Sequence, residues 1–221
     1  MSNIDFMSPE EGKWTFKSKE IADTFDQHVR EQLPWYDLTS RAIKHFGNHY
    51  ITKSGLVYDI GASTGNVGLI LKNTIKNRNA NLIAIEPSEE MGKLYRGGGE
   101  LITAEAQNVH FHEYDFAVSH LTMMFLSKAD RSEVILRLKN KRKKGGALVL
   151  LEKMLPEGGY FATVSMRLTT SEKLNAGASY EEIVKKELSL AGVQVPLSKD
   201  ELEGSQEWFR FGDFAGFIYT D

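Results

Sequence analysis

Apolar positions follow two rhythms along this chain, and the change between them divides it. From Ser18 to about Phe46 the spacing is helical. Ile21, Phe25, Val29 and Leu33 fall four apart and line one face, with Ser18 placed as an N-cap. Pro34 breaks the run and starts a second helix that turns Trp35, Leu38, Ile43 and Phe46 inward. Beyond Gly55, short continuous apolar runs alternate with amphipathic ones. LVYDIG is a strand ending in Asp59, and GASTG opens a helix carrying Val67, Leu69, Ile70, Leu71 and Ile75. NLIAIE is a second strand, and SEEMGKLYRGG a second helix with Ser88 as its cap. A third strand is expected over 108–114 and a fourth in AVSHLTMMFL. DRSEVILRLKNKRKK is an amphipathic helix and GGALVLLEKM a buried fifth strand. Such alternation predicts a parallel sheet with right-handed crossovers. Two aromatic runs around Gly212-Asp213, in EWFRFGDFAGFIYT, predict a closing antiparallel hairpin.

The 221 residues suit one α/β domain over 1–221, with a helical cap at 18–47 and a helical or looped insertion at 155–203 that could act as a lid. Residues 1–17 are polar and turn-rich and read as a loosely held arm. No apolar run approaches the ~18 residues a membrane span needs, and the N-terminus lacks a signal-peptide pattern. Cysteine is absent, which excludes a disulfide scaffold, a thiolate metal site and a cysteine nucleophile, and agrees with a cytoplasmic protein. A net charge of −3 gives no general attraction to nucleic acid, so no DNA partner is expected. The basic run 139–144 falls at a helix end, where cations complement the dipole. The histidines lack metal spacing, and no metal site is expected.

Candidate chemistry gathers in V-Y-D-I-G-A-S-T-G, a strand followed by a glycine turn and a helix start. Gly61 allows a sharp turn beneath a ligand, and Gly65 lets the helix approach closely. The amides of this turn, around Ala62 and Ser63, can receive a ligand carboxylate, while Asp59 can accept from an ammonium. Glu86, with Pro87 after it, ends the second strand, where a carboxylate can accept both hydroxyls of a ribose. Ser63 replaces the middle glycine of a pyrophosphate-binding loop, which disfavours a dinucleotide. Asp115 and Phe116 are expected at an adenine, and His120 at the reactive end as an orienting group or a base. A glycine loop, two acidic strand ends and a closing hairpin predict a Rossmann-like class I methyltransferase fold that binds S-adenosyl-L-methionine or S-adenosylhomocysteine.

These segments together resemble the carboxy-S-adenosyl-L-methionine synthase family and its relatives in wobble-uridine modification of tRNA. The resemblance runs from KWTFKSKEIADTFDQHVREQLPWY through YDIGASTGN, AIEPSEEM, SHLTMMFL and GGALVLLEK to EWFRFGDFAGFIY. It implies that Tyr36 closes over the cofactor, that Glu86 and Pro87 flank its ribose, and that Asp115 and Phe116 flank its adenine. It also implies that His120 lies at the reactive end and that the chain forms a homodimer. The synthase holds its additional carboxylate with an arginine in the C-terminal helical region. The corresponding EEIVKKELSLAGVQVPLS has none, and Lys185 or Lys186 is the available substitute.

That departure makes methyl transfer to a small-molecule or tRNA acceptor the leading expectation, with His120 and Tyr36 as the catalytic candidates. Two alternatives stand beside it: carboxylation of the cofactor by a prephenate-like donor, and a non-catalytic cofactor-binding subunit. A second departure is geometric. Phe116-Ala117 cannot span a parallel crossover, and the stretch before GSQEWF is short, so the chain is either truly shortened there or intervening residues are missing.

Overall fold

A computed structural model describes residues 19–221, with side chains from residue 25 onward. Trp14, Thr15, Phe16 and the expected cap Ser18, like the rest of the arm, lie outside the described residues. Two helices lead, α1 (Lys19–Gln32) and α2 (Tyr36–Tyr50), separated at Pro34 as the pattern predicts. There follow β1 (Leu56–Ile60), α3 (Asn66–Arg78), β2 (Asn81–Ile85), α4 (Glu89–Lys93), β3 (Glu100–Ile102) and β4 (Tyr114–His120). The chain continues through α5 (Lys128–Lys141), β5 (Arg142–Lys153), α6 (Tyr160–Asn175) and α7 (Tyr180–Ser189) to β6 (Gln206–Phe211) and β7 (Phe214–Tyr219).

Among the described residues, seven strands form one sheet in the order β3-β2-β1-β4-β5-β7-β6. The first five run parallel, and β7 enters antiparallel between β5 and β6. Each face buries its own apolar layer. Ile43 of α2 and Leu71 of α3 meet Val57, Val118 and Val149 on one side. Val134, Ile135 and Leu138 of α5 meet Tyr58, Leu148 and Leu150 on the other. Strand order reverses between β1 and β4. A crevice opens there at the carboxyl ends of the strands, the usual ligand position of such sheets.

The third and fourth strands differ from expectation, and the difference removes the geometric difficulty. The third strand is the short edge strand at 100–102, while HEYDFAVSH leads into a single continuous β4. Residues 103–113 make the crossover without an α-helix, using one 3-10 turn at Ala106–Asn108. Phe111 takes over part of a helix's packing: it is buried and meets Tyr58 edge-on at 5.3 Å, and the Arg137 guanidinium covers it at 5.1 Å. Before the hairpin, the chain likewise passes directly from a 3-10 turn at Lys199–Leu202 into β6.

The hairpin is where expected, and Trp35 fastens the start of α2 to it through Phe209 and Phe214, at 5.5 and 4.9 Å. The insertion is anchored from beneath by Arg131 of α5. Its guanidinium binds Glu201 through two nitrogens, at 2.6 and 2.8 Å, and donates to the carbonyls of Val195 and Pro196.

Candidate functional site

Asp59 is carried by the last turn of β1 into the wall of a cavity of about 430 Å³, within the usual range for small-molecule sites. Its Oδ2 is buried and has no hydrogen-bond partner among the described residues. Burial and the neighbouring Glu86 push its pKa up to about 8. Such a group is completed by a cation, and an ammonium donor would restore its ionised form.

The glycine turn follows. Gly61, Ser63 and Gly65 all have positive φ, at 71°, 49° and 97°. A Cβ on Gly61 would collide with the Thr122 side chain, and one on Gly65 with the backbone of Gly97. Ser63 therefore occupies a left-handed position that glycine adopts without strain. The turn is held by Glu86, whose Oε2 accepts from Ser63 N and Oε1 from Ser88 N, both at 2.8 Å. Burial raises the Glu86 pKa, and these two amides oppose the rise. Each carboxylate oxygen has a second lone pair, so Glu86 can still accept from a diol in the cavity that it lines.

Tyr36, Ala62, Pro87 and His120 also line this cavity, so the structure brings together Tyr36, Asp59, Gly61, Ala62, Ser63, Glu86, Pro87 and His120. Gly65 sits just beneath as the N-terminal cap of α3. Tyr36 and His120 stack with ring centres 4.7 Å apart and planes 8° from parallel. Burial pushes the Tyr36 hydroxyl well above its ordinary pKa and lowers His120 to about 3. Both are neutral at pH 7. Thr39 Oγ1 donates to Tyr36 O and lies 3.5 Å from His120 Nε2, which orients the ring. Asp26 of α1 accepts from Thr64 Oγ1, beside the cavity, at 2.6 Å and pairs with Arg96.

Asp115 and Phe116 correct the expectation. Both belong to the start of β4, at the opposite end of the sheet from the cavity. Asp115 accepts from Leu56 N, Thr52 Oγ1 and Lys143 Nζ. Its own burial would raise its pKa, but these bonds hold it below the ordinary value. Phe116 is core, packed with Ile43 and Leu71. The reason is the continuous β4: HEYDF enters the central strand rather than ending the edge strand. The cavity wall beyond Glu86 is instead Glu105, Ala106 and Gln107, from the crossover turn. No spacing in the sequence marks that turn.

A smaller chamber of about 100 Å³ lies behind the first, and both are bordered by Phe25, Val29, Leu121 and Phe125. Lys153, Lys173, Lys186, Glu187, His28 and Gln194 line it. Lys186 Nζ and His28 Nε2 are hydrogen-bonded at 2.7 Å, and Lys173 pairs with Glu187 at 2.9 Å. Burial and the Lys173 charge lower Lys186 to about 7. Burial and the Lys186 charge lower His28 to about 3. Among the described lining residues, three lysines face one carboxylate. Lys186 was legible as a substitute for the missing arginine; Lys153 and Lys173 were not, because they reach the chamber from β5 and α6. Lys185 is not among its lining residues.

Sheet order, hairpin and the crevice at the strand ends define a Rossmann-like class I methyltransferase fold. Solved structures of this fold agree. An O-methyltransferase family protein from Burkholderia thailandensis superposes with a TM-score of 0.56 over 99% of this chain and 64% of its own, at 14% identity. The plantazolicin methyltransferase in complex with S-adenosylhomocysteine gives 0.55 over 92% and 90%, at 13% identity. No family model matches the chain. A carboxy-S-adenosyl-L-methionine synthase from Staphylococcus epidermidis is 31% identical over 93% of this chain and 96% of its own. Another from Shewanella sediminis is 27% identical over 90% of each. The chain belongs to the carboxy-S-adenosyl-L-methionine synthase family.

Proposed function

We propose that this protein binds S-adenosyl-L-methionine and carboxylates its methyl group with a prephenate-like small molecule. The donor's C–COO⁻ and C–OH bonds break as it becomes aromatic, the carbon dioxide joins the methyl carbon, and the released hydroxide leaves with the methyl proton as water. The observation that carries the reading is the lysine-lined chamber bordering the cofactor cavity. Lys173 and Lys153 share the Glu187 carboxylate there, at 2.9 and 3.6 Å. Burial and the Lys173 charge lower Lys186 to about 7, and an entering carboxylate favours the charged form of Lys186. When bound, the cofactor supplies a sulfonium that acidifies and polarises its methyl group.

The chain's own residues do the rest. Asp59 accepts from the ammonium of the amino-acid end, Glu86 from the ribose hydroxyls, and Glu105 to Gln107 border the adenine end. Neutral Tyr36 and His120 exclude water and orient the reactive end without adding charge. Lys186, with Lys173 and Lys153, holds the carboxylate. Lysines replace the bidentate arginine of the family by number and convergence. A homodimer belongs to the same reading, supported by exposed Tyr160, Phe161 and Met166 on α6 and Val184 and Leu188 on α7.

Native mass spectrometry of the purified protein, followed by denaturation, identifies the nucleotide it carries. The expected species is heavier than S-adenosyl-L-methionine by one carboxylate. Lys186→Met keeps S-adenosyl-L-methionine binding but forms the heavier species at least about tenfold more slowly, as loss of a charged hydrogen bond implies. Recovery of S-adenosyl-L-methionine or its demethylated product alone, with methyl transfer to an RNA or metabolite, would replace this reading with an ordinary methyltransferase. Bound cofactor without any transfer would leave a binding subunit.

A further inference from the structure

The turn after β4 is built on a buried carboxylate. Glu152, near the end of β5, is fully buried and accepts four hydrogen bonds. Its Oε1 accepts from Ser119 Oγ at 2.8 Å, Met123 N at 3.0 Å and Thr122 N at 3.2 Å, and its Oε2 from Met124 N at 3.2 Å. Three successive amides on one carboxylate fix the backbone from 122 to 124.

That backbone carries a cost. Leu121 sits at φ 65°, a left-handed conformation unfavourable for a branched side chain by ~1–2 kcal/mol. Strain of this kind persists only where the surroundings over-determine it. Here the Glu152 bonds and one from Leu121 N to Leu151 O do so.

The strained turn forms the wall shared by both chambers. Leu121 borders the cofactor cavity and the lysine chamber, and Thr122 lies against Gly61 and donates to Ile60 O at 3.0 Å. His120, stacked on Tyr36, directly precedes it. The backbone that follows His120 and Leu121 is thus held by the Glu152 carboxylate at Thr122, Met123 and Met124.

We propose that Glu152 is a positioning residue for the reaction, setting where His120, Leu121 and Thr122 stand against the reactive end of the cofactor; this rests on the function proposed above. Glu152 is fully buried and lines neither chamber. It acts through the amides of 122–124, which a carboxylate can satisfy together and a carboxamide cannot, because its NH₂ would face one of the four donors.

The test compares Glu152→Gln and Glu152→Asp with the native protein by three readouts. These are S-adenosylhomocysteine affinity by calorimetry, kcat and KM for the carboxylation, and the carbon-13 shift of bound methyl-labelled S-adenosyl-L-methionine. Both variants are expected to bind S-adenosylhomocysteine within about threefold of native, while kcat falls at least about tenfold and the methyl shift moves, because misplacing a supporting shell by a fraction of an ångström costs rate before affinity. Ser119→Ala, which leaves all three amide bonds, is expected to keep kcat within about twofold. A lowered melting temperature with kcat and methyl shift at native values in both variants would overturn the proposal and leave Glu152 as a fold anchor. Should Glu152→Gln not fold, Glu152→Asp, which keeps the charge and draws it back by one methylene, decides alone. If the native protein makes no carboxylated cofactor, the function above fails, while the methyl shift still reports whether Glu152 shapes the reactive end.

Discussion

Asp59 Oδ2 is buried without a hydrogen-bond partner among the described residues, and its pKa stands near 8. In the free protein at pH 6–7 it is therefore mostly protonated; an ammonium bound against it favours the ionised form, so binding releases a proton. S-Adenosyl-L-methionine binding, measured calorimetrically in buffers of different ionisation enthalpy, is expected to release up to about one proton at pH 6–7 and fewer above pH 8, and Asp59→Asn abolishes the release. Lys186 behaves in the opposite sense. Its folded pKa of about 7 lies below the ordinary 10.5, so the unfolded chain binds the extra proton between those values. From this group alone, stability rises with pH through that window. A carboxylate in the chamber weakens the trend by favouring the charged form. Ser63 shows how residue chemistry and backbone geometry part company. Its side chain reads as a departure from a glycine motif, yet its φ of 49° is where a glycine would sit.

At the level of elements, the helical insertion depends on one buried ion pair. Arg131 and Glu201 have side chains 2% and 5% exposed, so removing one partner strands a charge in the core. Arg131→Ala is expected to destabilise the protein by about 3–5 kcal/mol in urea unfolding, far more than an exposed pair such as Lys185–Glu181 contributes. The same clasp bears on the site, because Val195 N donates to Met124 O, joining the insertion to the turn held by Glu152. Periodicity made α1, α2, α3, α5 and the hairpin legible, since each has one apolar face or alternating apolar positions. The segment 100–116 was not legible. Its edge strand has three residues, its crossover has no helix, and Phe111 supplies packing that leaves no periodic trace.

Across the whole molecule, the apolar side chains exposed on α6 and α7 set its expected assembly. Tyr160, Phe161 and Leu188 are 75%, 68% and 70% exposed, more than isolated surface hydrophobics explain. Light scattering coupled to size exclusion is expected to give twice the chain mass, and Leu188→Glu with Phe161→Glu to give the single-chain mass; a monomeric native protein would refute the dimer. Among the described residues, no helix is long and apolar enough to cross a membrane.

Sequence by itself determined the sheet class, the closing hairpin and the first half of the site. Asp59, the glycine turn and Glu86 are consecutive strand ends, and local spacing is enough to place them. His120 was legible from its place after a strand and again by resemblance, Tyr36 by resemblance alone, and their stacking came from tertiary contact. Only the tertiary structure decided the rest. Whether Asp115 meets the cavity depends on which end of the central strand it occupies, and a short edge strand and a helix-free crossover shifted it to the far end. The lysine chamber and the Glu152 anchor join residues from β4, β5, α6 and α7. Their charges acquire meaning only from shared burial, which no pattern along the chain records.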